Sequence, residues 1–263
     1  MGKKLSIVGG GKMGEALLAG LVTSKWAEPD ELSVIEPDEN RIKELKEKYK
    51  ETTFSDELLV SENFLLAVKP QMVSAICQEI NEMKPKRVIS IAAGITINSI
   101  ESELSKGTAV VRVMPNTPAM IGEGMSAIAP GTSATKEDLD WASSILSAVG
   151  EVVVVDENTL DAVTGLSGSG PAYLFLLAEA MIAAGIVNGL DPSVADLLTR
   201  QTLLGASSLL STSGVAPLDL RTSVTSPNGT TAAAIESFEK NQFLALVNDA
   251  ITAATERSKE LGQ

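Results

Sequence analysis

Residues 4–18 read Lys-Leu-Ser-Ile-Val-Gly-Gly-Gly-Lys-Met-Gly-Glu-Ala-Leu-Leu, a spacing that suits the binding of a dinucleotide. Leu5, Ile7 and Val8 form a short apolar strand. Gly9, Gly11 and Gly14 follow in the G-x-G-x-x-G pattern, and Ala16, Leu17, Leu18, Leu21 and Val22 then recur at helical spacing. Gly9 permits the tight turn, Gly11 lets the backbone approach a pyrophosphate, and Gly14 lets the helix lie close on the strand. The helix start offers unpaired N–H groups and a partial positive charge to the phosphates. Glu36 ends the next apolar strand, residues 32–35. A carboxylate there hydrogen-bonds the adenosine ribose hydroxyls and repels a 2′-phosphate, which favours NADH over NADPH. Arg41 lies near enough in sequence to approach a 2′-phosphate, so the two side chains pull in opposite directions.

Composition narrows the chemistry. The 263 residues contain no histidine, which excludes a Ser-His-Asp or Cys-His nucleophile and a His-ligated metal; no metal is expected. Hydride transfer survives this exclusion, because the cofactor carries the hard step. The formal net charge of −13 disfavours nucleic acid and anionic membrane as partners. No uninterrupted apolar run reaches the roughly 18 residues of a membrane span, and no signal-peptide pattern precedes the first strand. One cysteine, Cys77, rules out an intramolecular disulfide and fits a reducing cytoplasm.

The elements that must position these residues alternate. Apolar strands at residues 5–8, 32–35, 64–68, 87–91 and 109–113 are separated by helical patterns at 12–22, 40–49 and 72–83. This predicts an α/β fold with an N-terminal Rossmann-type doubly wound parallel sheet. Ligands in such sheets sit beyond the carboxyl ends of the strands, here the glycine turn, Glu36, residues 67–71, 91–94 and 114–118. Residues 124–129 and 150–155 read as two further strands around a helix at 136–149. From about Asp156 the pattern becomes helical throughout. The expected domains are therefore a dinucleotide-binding domain at 1–156 and an all-helical domain at 157–263. The helix from Pro171 carries one charge, Glu179, over residues 173–187. A helix apolar on every side needs cover on every side, so the helical domain is expected to pair with a second copy. Two polar stretches break this half, Thr164 to Tyr173 and Ser223 to Thr231. In the first, Pro171 fits the first turn of a helix, with Ser169 or Gly170 as its cap. The second leads into a helix, and its N–H groups and hydroxyls suit a carboxylate.

Taken together these stretches resemble pyrroline-5-carboxylate reductase, over essentially the whole chain. The resemblance rests on the glycine turn 9–14, Ala67-Val68-Lys69-Pro70-Gln71, Ala92-Ala93-Gly94, Met114-Pro115-Asn116-Thr117-Pro118-Ala119, residues 161–173 and Val224 to Thr231. It implies reduction of 1-pyrroline-5-carboxylate to L-proline by NADH or NADPH. It also implies a Rossmann domain followed by a helical dimerisation domain, with dimers assembling into larger rings. Carried over residue by residue, the cofactor contacts are Gly9, Gly10, Gly11, Lys12, Met13, Gly14, Glu36, Ala67, Val68, Lys69, Pro70, Ile91, Ala92, Ala93 and Asn116. The substrate contacts are Ser226, Gly229, Thr230 and Thr231, with Glu157 as a further candidate. The chain departs from the family pattern at residues 53–56 and at Ser223, where asparagine often stands.

In the mechanism that this resemblance implies, the protein holds the substrate carboxylate, aligns C5 of the ring for hydride attack and accommodates a proton on the ring nitrogen. The 226–230 loop takes the carboxylate. Thr231 is the catalytic candidate, orienting the ring nitrogen or relaying a proton from water. Lys69 either supports the site electrostatically or orders a strand end. Two other readings fit the N-terminal pattern. One is a related nicotinamide-dependent oxidoreductase of another imine or of a 3-hydroxy acid; the other is a nucleotide-binding scaffold without catalysis.

Overall fold

The computed structural model describes residues 3–262. Its sheet strands are β1 (Leu5–Val8), β2 (Leu32–Ile35), β3 (Thr53–Ser55), β4 (Asn63–Leu66), β5 (Arg87–Ser90), β6 (Ala109–Met114), β7 (Gly124–Pro130) and β8 (Gly150–Val154), in the order β3-β2-β1-β4-β5-β6-β7-β8. All pairings are parallel except β6 with β7. The parallel arrangement expected of the strands up to β6 is found, and the antiparallel pairing enters with β7. Only a short turn, Thr117–Ile121, and the left-handed Gly122 (φ 78°) separate β6 from β7. A parallel return needs a crossover of a dozen or more residues. β3 was not anticipated, being three residues long beside a charged helix.

The sheet is covered by α1 (Lys12–Thr23), α2 (Glu39–Lys48), α3 (Val73–Asn81), α4 (Ile97–Ser102) and α5 (Lys136–Leu146). β1, β2 and β5 are buried on both faces, which is why they read as short apolar runs, whereas the edge strand β8 is largely exposed. Their alternate residues feed two cores. Leu5, Ile7, Leu65 and Ile89 pack with Leu17, Leu18 and Leu21 of α1. Val8, Phe64, Leu66 and Val88 pack with Val73, Ile76, Cys77 and Ile80 of α3. Cys77 is fully buried, and burial pushes its thiol up to about 12, so it is an inert core residue.

The remaining helices are α6 (Leu160–Val163), α7 (Gly170–Val187), α8 (Pro192–Ser213), α9 (Pro217–Ser223), α10 (Thr230–Lys240) and α11 (Phe243–Leu261). A π-helical turn, Thr164–Gly168, joins α6 to α7, with the Ser169 amide donating to Thr164 O at 2.8 Å. The glycine-rich stretch is thus wound rather than looped. Pro171 lies in the first turn of α7, and Ser169 is the bend that ends the π-turn just before it. By packing, the first compact unit runs to Ser169 and takes back the end of α11 from Thr252; the second is Gly170–Ile251. Leu160 is buried in the second sheet core, and the Ser258 hydroxyl lies 2.7 Å from the Asp161 carboxylate.

One feature of the helical half escaped a reading by uninterrupted runs. The stretch Glu157–Val187 is long and apolar enough to cross a membrane by length and composition, with a mean hydropathy of 1.7. Its scattered acids, Glu157, Asp161 and Glu179, interrupt the run without removing its apolar character. None of the α7 residues is buried.

A buried ion pair anchors the start of β5 to α5. Arg87 of β5 donates to Asp138 at 2.6 Å and to Glu137 at 2.8 Å, and its guanidinium lies 5.1 Å from the Trp141 ring. Asp138 also accepts from the Thr135 hydroxyl and amide, closing a capping box on α5. Burial alone would raise the Asp138 pKa, but the Thr135 hydrogen bonds and Arg87 outweigh it and hold the carboxyl below its ordinary value. Asp138→Ala is expected to cost about 3 kcal/mol of unfolding free energy. A depressed native pKa gives stability above the unfolded value that is lost as pH falls through the native one. Denaturant titrations over acid pH should therefore show a steep acid limb for the wild type and a shallower one for Asp138→Asn.

Candidate dinucleotide and substrate sites

The turn after β1 is fixed from both sides. The Gly9 amide donates to Ile35 O at 2.8 Å, and the Ala67 amide donates to Val8 O at 2.7 Å. Gly9 has φ 109°, and a Cβ there would lie 2.4 Å from Ala67 O. A Cβ on Gly14 would lie 2.0 Å from Gly9 O, so α1 reaches its place only without a side chain there. Gly11 differs. It has an ordinary φ of −66°, and a Cβ on it would meet nothing within 4 Å. Neither strain nor crowding inside the chain requires glycine at 11. The open approach fits a ligand pressed against the backbone at the uncapped start of α1.

A cavity of about 680 Å³ opens over this turn. Of the sequence-derived cofactor residues, Gly9, Gly11, Glu36, Ala67, Val68 and Lys69 line it. Gly10 sits behind them with both backbone polar groups held. Its amide donates to Glu36 Oε2 at 2.8 Å, and its carbonyl accepts from Arg41 Nε at 2.8 Å. Gly14 supports the turn, Met13 packs on the first core, and Lys12 is exposed. Pro70 follows Lys69 at the cavity edge, opening a short turn into α3. Ile91 and Ala92 lie at the carboxyl end of β5, with the Ile91 amide on Leu66 O at 3.1 Å; Ala93 is exposed beside them. Asn116 is tied to the protein: its Oδ1 accepts from the Met125 amide at 2.8 Å, and its Nδ2 donates to Ser167 O and Oγ at 3.3 and 3.2 Å.

The lining also holds Asp56, Glu57, Leu58, Met72, Ile76 and Glu79, which the sequence did not single out. Recognising β3 as a strand beside β2 would have placed Asp56 at its carboxyl end. Four acids and one lysine line the cavity.

Beneath the turn lies an ion-pair network. Arg41 pairs with Glu15 and, at 2.9 Å, with Glu44; Lys48 pairs with Glu15 at 2.8 Å. Burial works to raise the Glu15 pKa, but the bonds from Lys48 and Arg41 prevail and lower it. The bond to Glu15 raises the pKa of Arg41. Glu157 is likewise engaged, accepting from Arg112 at 2.9 Å and from the Ile97 amide at 2.7 Å.

In the helical unit, the 223–231 stretch forms the approach to α10. Asn228 takes a left-handed conformation (φ 59°), and the Gly229 amide donates to Ser226 O at 3.0 Å. A Cβ on Gly229 would crowd Ser226 Oγ at 2.5 Å. Gly229 caps α10 without a side chain, which leaves the first-turn amides uncapped. The hydroxyls of Ser223 and Thr225 are turned back onto Leu220 O and Arg221 O, so they are not part of the expected cradle. Among the described residues, no such bond engages the hydroxyls of Ser226, Thr230 or Thr231, and Thr231 is half-buried.

Comparison with known proteins matches both units. Residues 157–261 match the family model for pyrroline-5-carboxylate reductase dimerisation, and residues 4–94 match that for NADP oxidoreductase, coenzyme F420-dependent. A pyrroline-5-carboxylate reductase of Methanosarcina acetivorans is 42% identical, over 99% of this chain and 98% of its own. The chain belongs to the pyrroline-5-carboxylate reductase family. A solved family member from Coxiella burnetii superposes with a TM-score of 0.93 at 34% identity, covering 100% of both chains. A Plasmodium falciparum pyrroline carboxylate reductase solved with NADP bound superposes at 0.85 with 29% identity, over 99% of this chain and 98% of that one. Within this family's dimerisation region fall the exposed Leu174, Phe175 and Leu176 of α7.

The two glycines separate fold from ligand. Gly14→Ala should lower unfolding free energy by about 1–3 kcal/mol through overpacking. Gly11→Ala should leave thermal unfolding in place and weaken dinucleotide binding by roughly tenfold or more, as read by calorimetry.

Proposed function

We propose that this protein reduces 1-pyrroline-5-carboxylate to L-proline with NADH as the preferred donor, acting as a homodimer or an assembly of dimers. Family membership over the full length carries the reaction. The cofactor preference rests on the acidic corner of the cavity, where Glu36, Asp56 and Glu57 face the position of an adenosine ribose. Glu36 is held by its bonds to the Gly10 and Asp38 amides, the latter at 3.1 Å, and keeps its carboxylate at the strand end. A 2′-phosphate would meet this charge while Arg41, bonded to the Gly10 carbonyl, is engaged by Glu15 and Glu44.

In this reading Gly9, Gly11, Ala67 and Val68 cradle the dinucleotide, while Ile91, Ala92 and Ala93 border its nicotinamide end. A bound nicotinamide supplies the hydride for C5 of the ring. The uncapped amides at the start of α10 bind the substrate carboxylate together with the Ser226 and Thr230 hydroxyls. Thr231 hydrogen-bonds the ring nitrogen and fixes the face presented to the donor. An alcohol of ordinary acidity serves as an orienter, and the proton enters with the substrate or from water. Lys69 offsets part of the acidity of the cavity. Pairing of the apolar helical faces covers Leu174, Phe175 and Leu176.

Nicotinamide absorbance in the presence of racemic 1-pyrroline-5-carboxylate tests the reaction. Turnover is expected with both donors, with kcat/KM for NADH higher by roughly tenfold or more, about 1.4 kcal/mol of transition-state binding. A preference for NADPH would keep the family reaction and overturn the role of Glu36; turnover of a 3-hydroxy acid instead would overturn the substrate. Thr231→Ala should lower kcat/KM by roughly 10- to 1000-fold, and unaltered kinetics would remove Thr231 from the mechanism.

A further inference from the structure

Glu15 stands on α1, outside the cavity lining, yet it holds Arg41, the cation bonded to Gly10 of the glycine turn. Arg41 has three contacts: Nε on Gly10 O, Nη1 on Glu44 and Nη2 on Glu15. The Gly10 amide is in turn bonded to Glu36. Arg41 and Glu36 therefore hold opposite ends of one peptide residue, which places the guanidinium beside the corner that would receive a 2′-phosphate. The two acids on Arg41 are not equivalent. Glu44 is 63% exposed and pairs across one helical turn, a contact that contributes little. Glu15 is 20% exposed and accepts from both Arg41 and Lys48. One part-buried carboxylate thus ties up two cations.

We infer that Glu15 is a specificity-determining positioning residue, which sets the NADH preference by withholding Arg41 from the 2′-position of the cofactor. The inference rests on the NADH reading above. Glu36 repels a 2′-phosphate directly; Glu15 removes the counter-charge that would otherwise neutralise it. Released from Glu15, Arg41 keeps its bond to Gly10 O through Nε and has a terminal nitrogen to turn towards a phosphate. Such a charge-assisted contact is among the stronger hydrogen bonds.

The test uses binding as well as turnover. Calorimetry with adenosine 2′,5′-bisphosphate and with 5′-AMP gives a 2′-phosphate discrimination ratio without the substrate. Glu15→Gln should shift that ratio towards the bisphosphate by roughly tenfold, the scale of one gained charge pair in a part-buried site. The NADPH to NADH ratio of kcat/KM should move with it through KM, with kcat little changed. Glu15→Ser, too short to reach Arg41, should give the same shift. Glu44→Gln should move the ratio by less than about twofold. In an Arg41→Ala background Glu15→Gln should produce no shift, which separates release of Arg41 from the mere loss of a negative charge. An unchanged bisphosphate to AMP ratio in both Glu15 variants would overturn the inference, as would a shift that survives without Arg41. A wild type that favours NADPH overturns the NADH reading instead, and the Glu15 ratios are scored independently of it.

Discussion

The close approach of α1 to the turn after β1 is the constraint on which the rest depends. Gly14 would place a Cβ 2.0 Å from Gly9 O, and Gly9 would place one 2.4 Å from Ala67 O. Three segments, the ends of β1 and β4 and the first turn of α1, therefore meet at backbone distance. That contact aims the uncapped amides of α1 at the cavity and sets Ala67, Val68 and Lys69 along its wall. It also brings Gly10 within reach of Glu36 and Arg41. A side chain at Gly14 would push α1 outward, and one at Gly9 would push against the chain leaving β4.

Charge is the second constraint. A chain with a net charge of −13 has to accept a phosphate-bearing ligand in a cavity lined by four acids and one lysine. Bulk electrostatics oppose this, so binding depends on the local field of the uncapped α1 start, since the Gly9 and Gly10 amides are already bonded within the protein. Asp56, Glu57 and Glu79 lie after β3 and on α3, while Glu36 at the end of β2 bonds the Gly10 amide beside that start. Cations that would soften the corner are paired within the protein through Glu15. At the pyrophosphate position, neutral backbone donors carry little desolvation cost compared with charged side chains.

Much of the sheet was legible because most of its strands are buried on both faces and so read as short apolar runs between helical patterns. The glycine turn and Glu36 follow from that placement. What stayed hidden has physical causes. Thr53, Phe54 and Ser55 form an edge strand too short and too polar to stand out beside a charged helix, and with it Asp56 was missed. The antiparallel β7 cannot be told from a parallel strand by its own residues; only the short link from β6 reveals it. The stretch 164–168 stood out only as a polar, glycine-rich break; it winds as a π-turn with Gly168 against Met114, where a Cβ would lie 2.3 Å from Cε. Hydroxyl count likewise overstated the 223–231 cradle, because serine and threonine near a helix end bond back to its carbonyls, as Ser223 and Thr225 do.

The helical half shows how assembly and chemistry are joined in one sequence. Phe175 is 64% exposed and Leu176 66% on a helix with no buried residue. Fully burying a side chain of this kind is worth about 1.5–3 kcal/mol. Several such residues on α7 and α8 therefore represent a stabilisation comparable with that of a whole small domain. This unit also carries the turn at Gly229 and the start of α10. Its backbone places the Ser226, Thr230 and Thr231 hydroxyls with no framework other than helix packing. A site that needs amides and hydroxyls fixed to within a fraction of an ångström is better served by helices locked in a larger core than by a lone bundle. The match to a dimerisation family over 157–261 fits that requirement: the apolar surface that drives pairing belongs to the same helices that hold the hydroxyl-bearing turn.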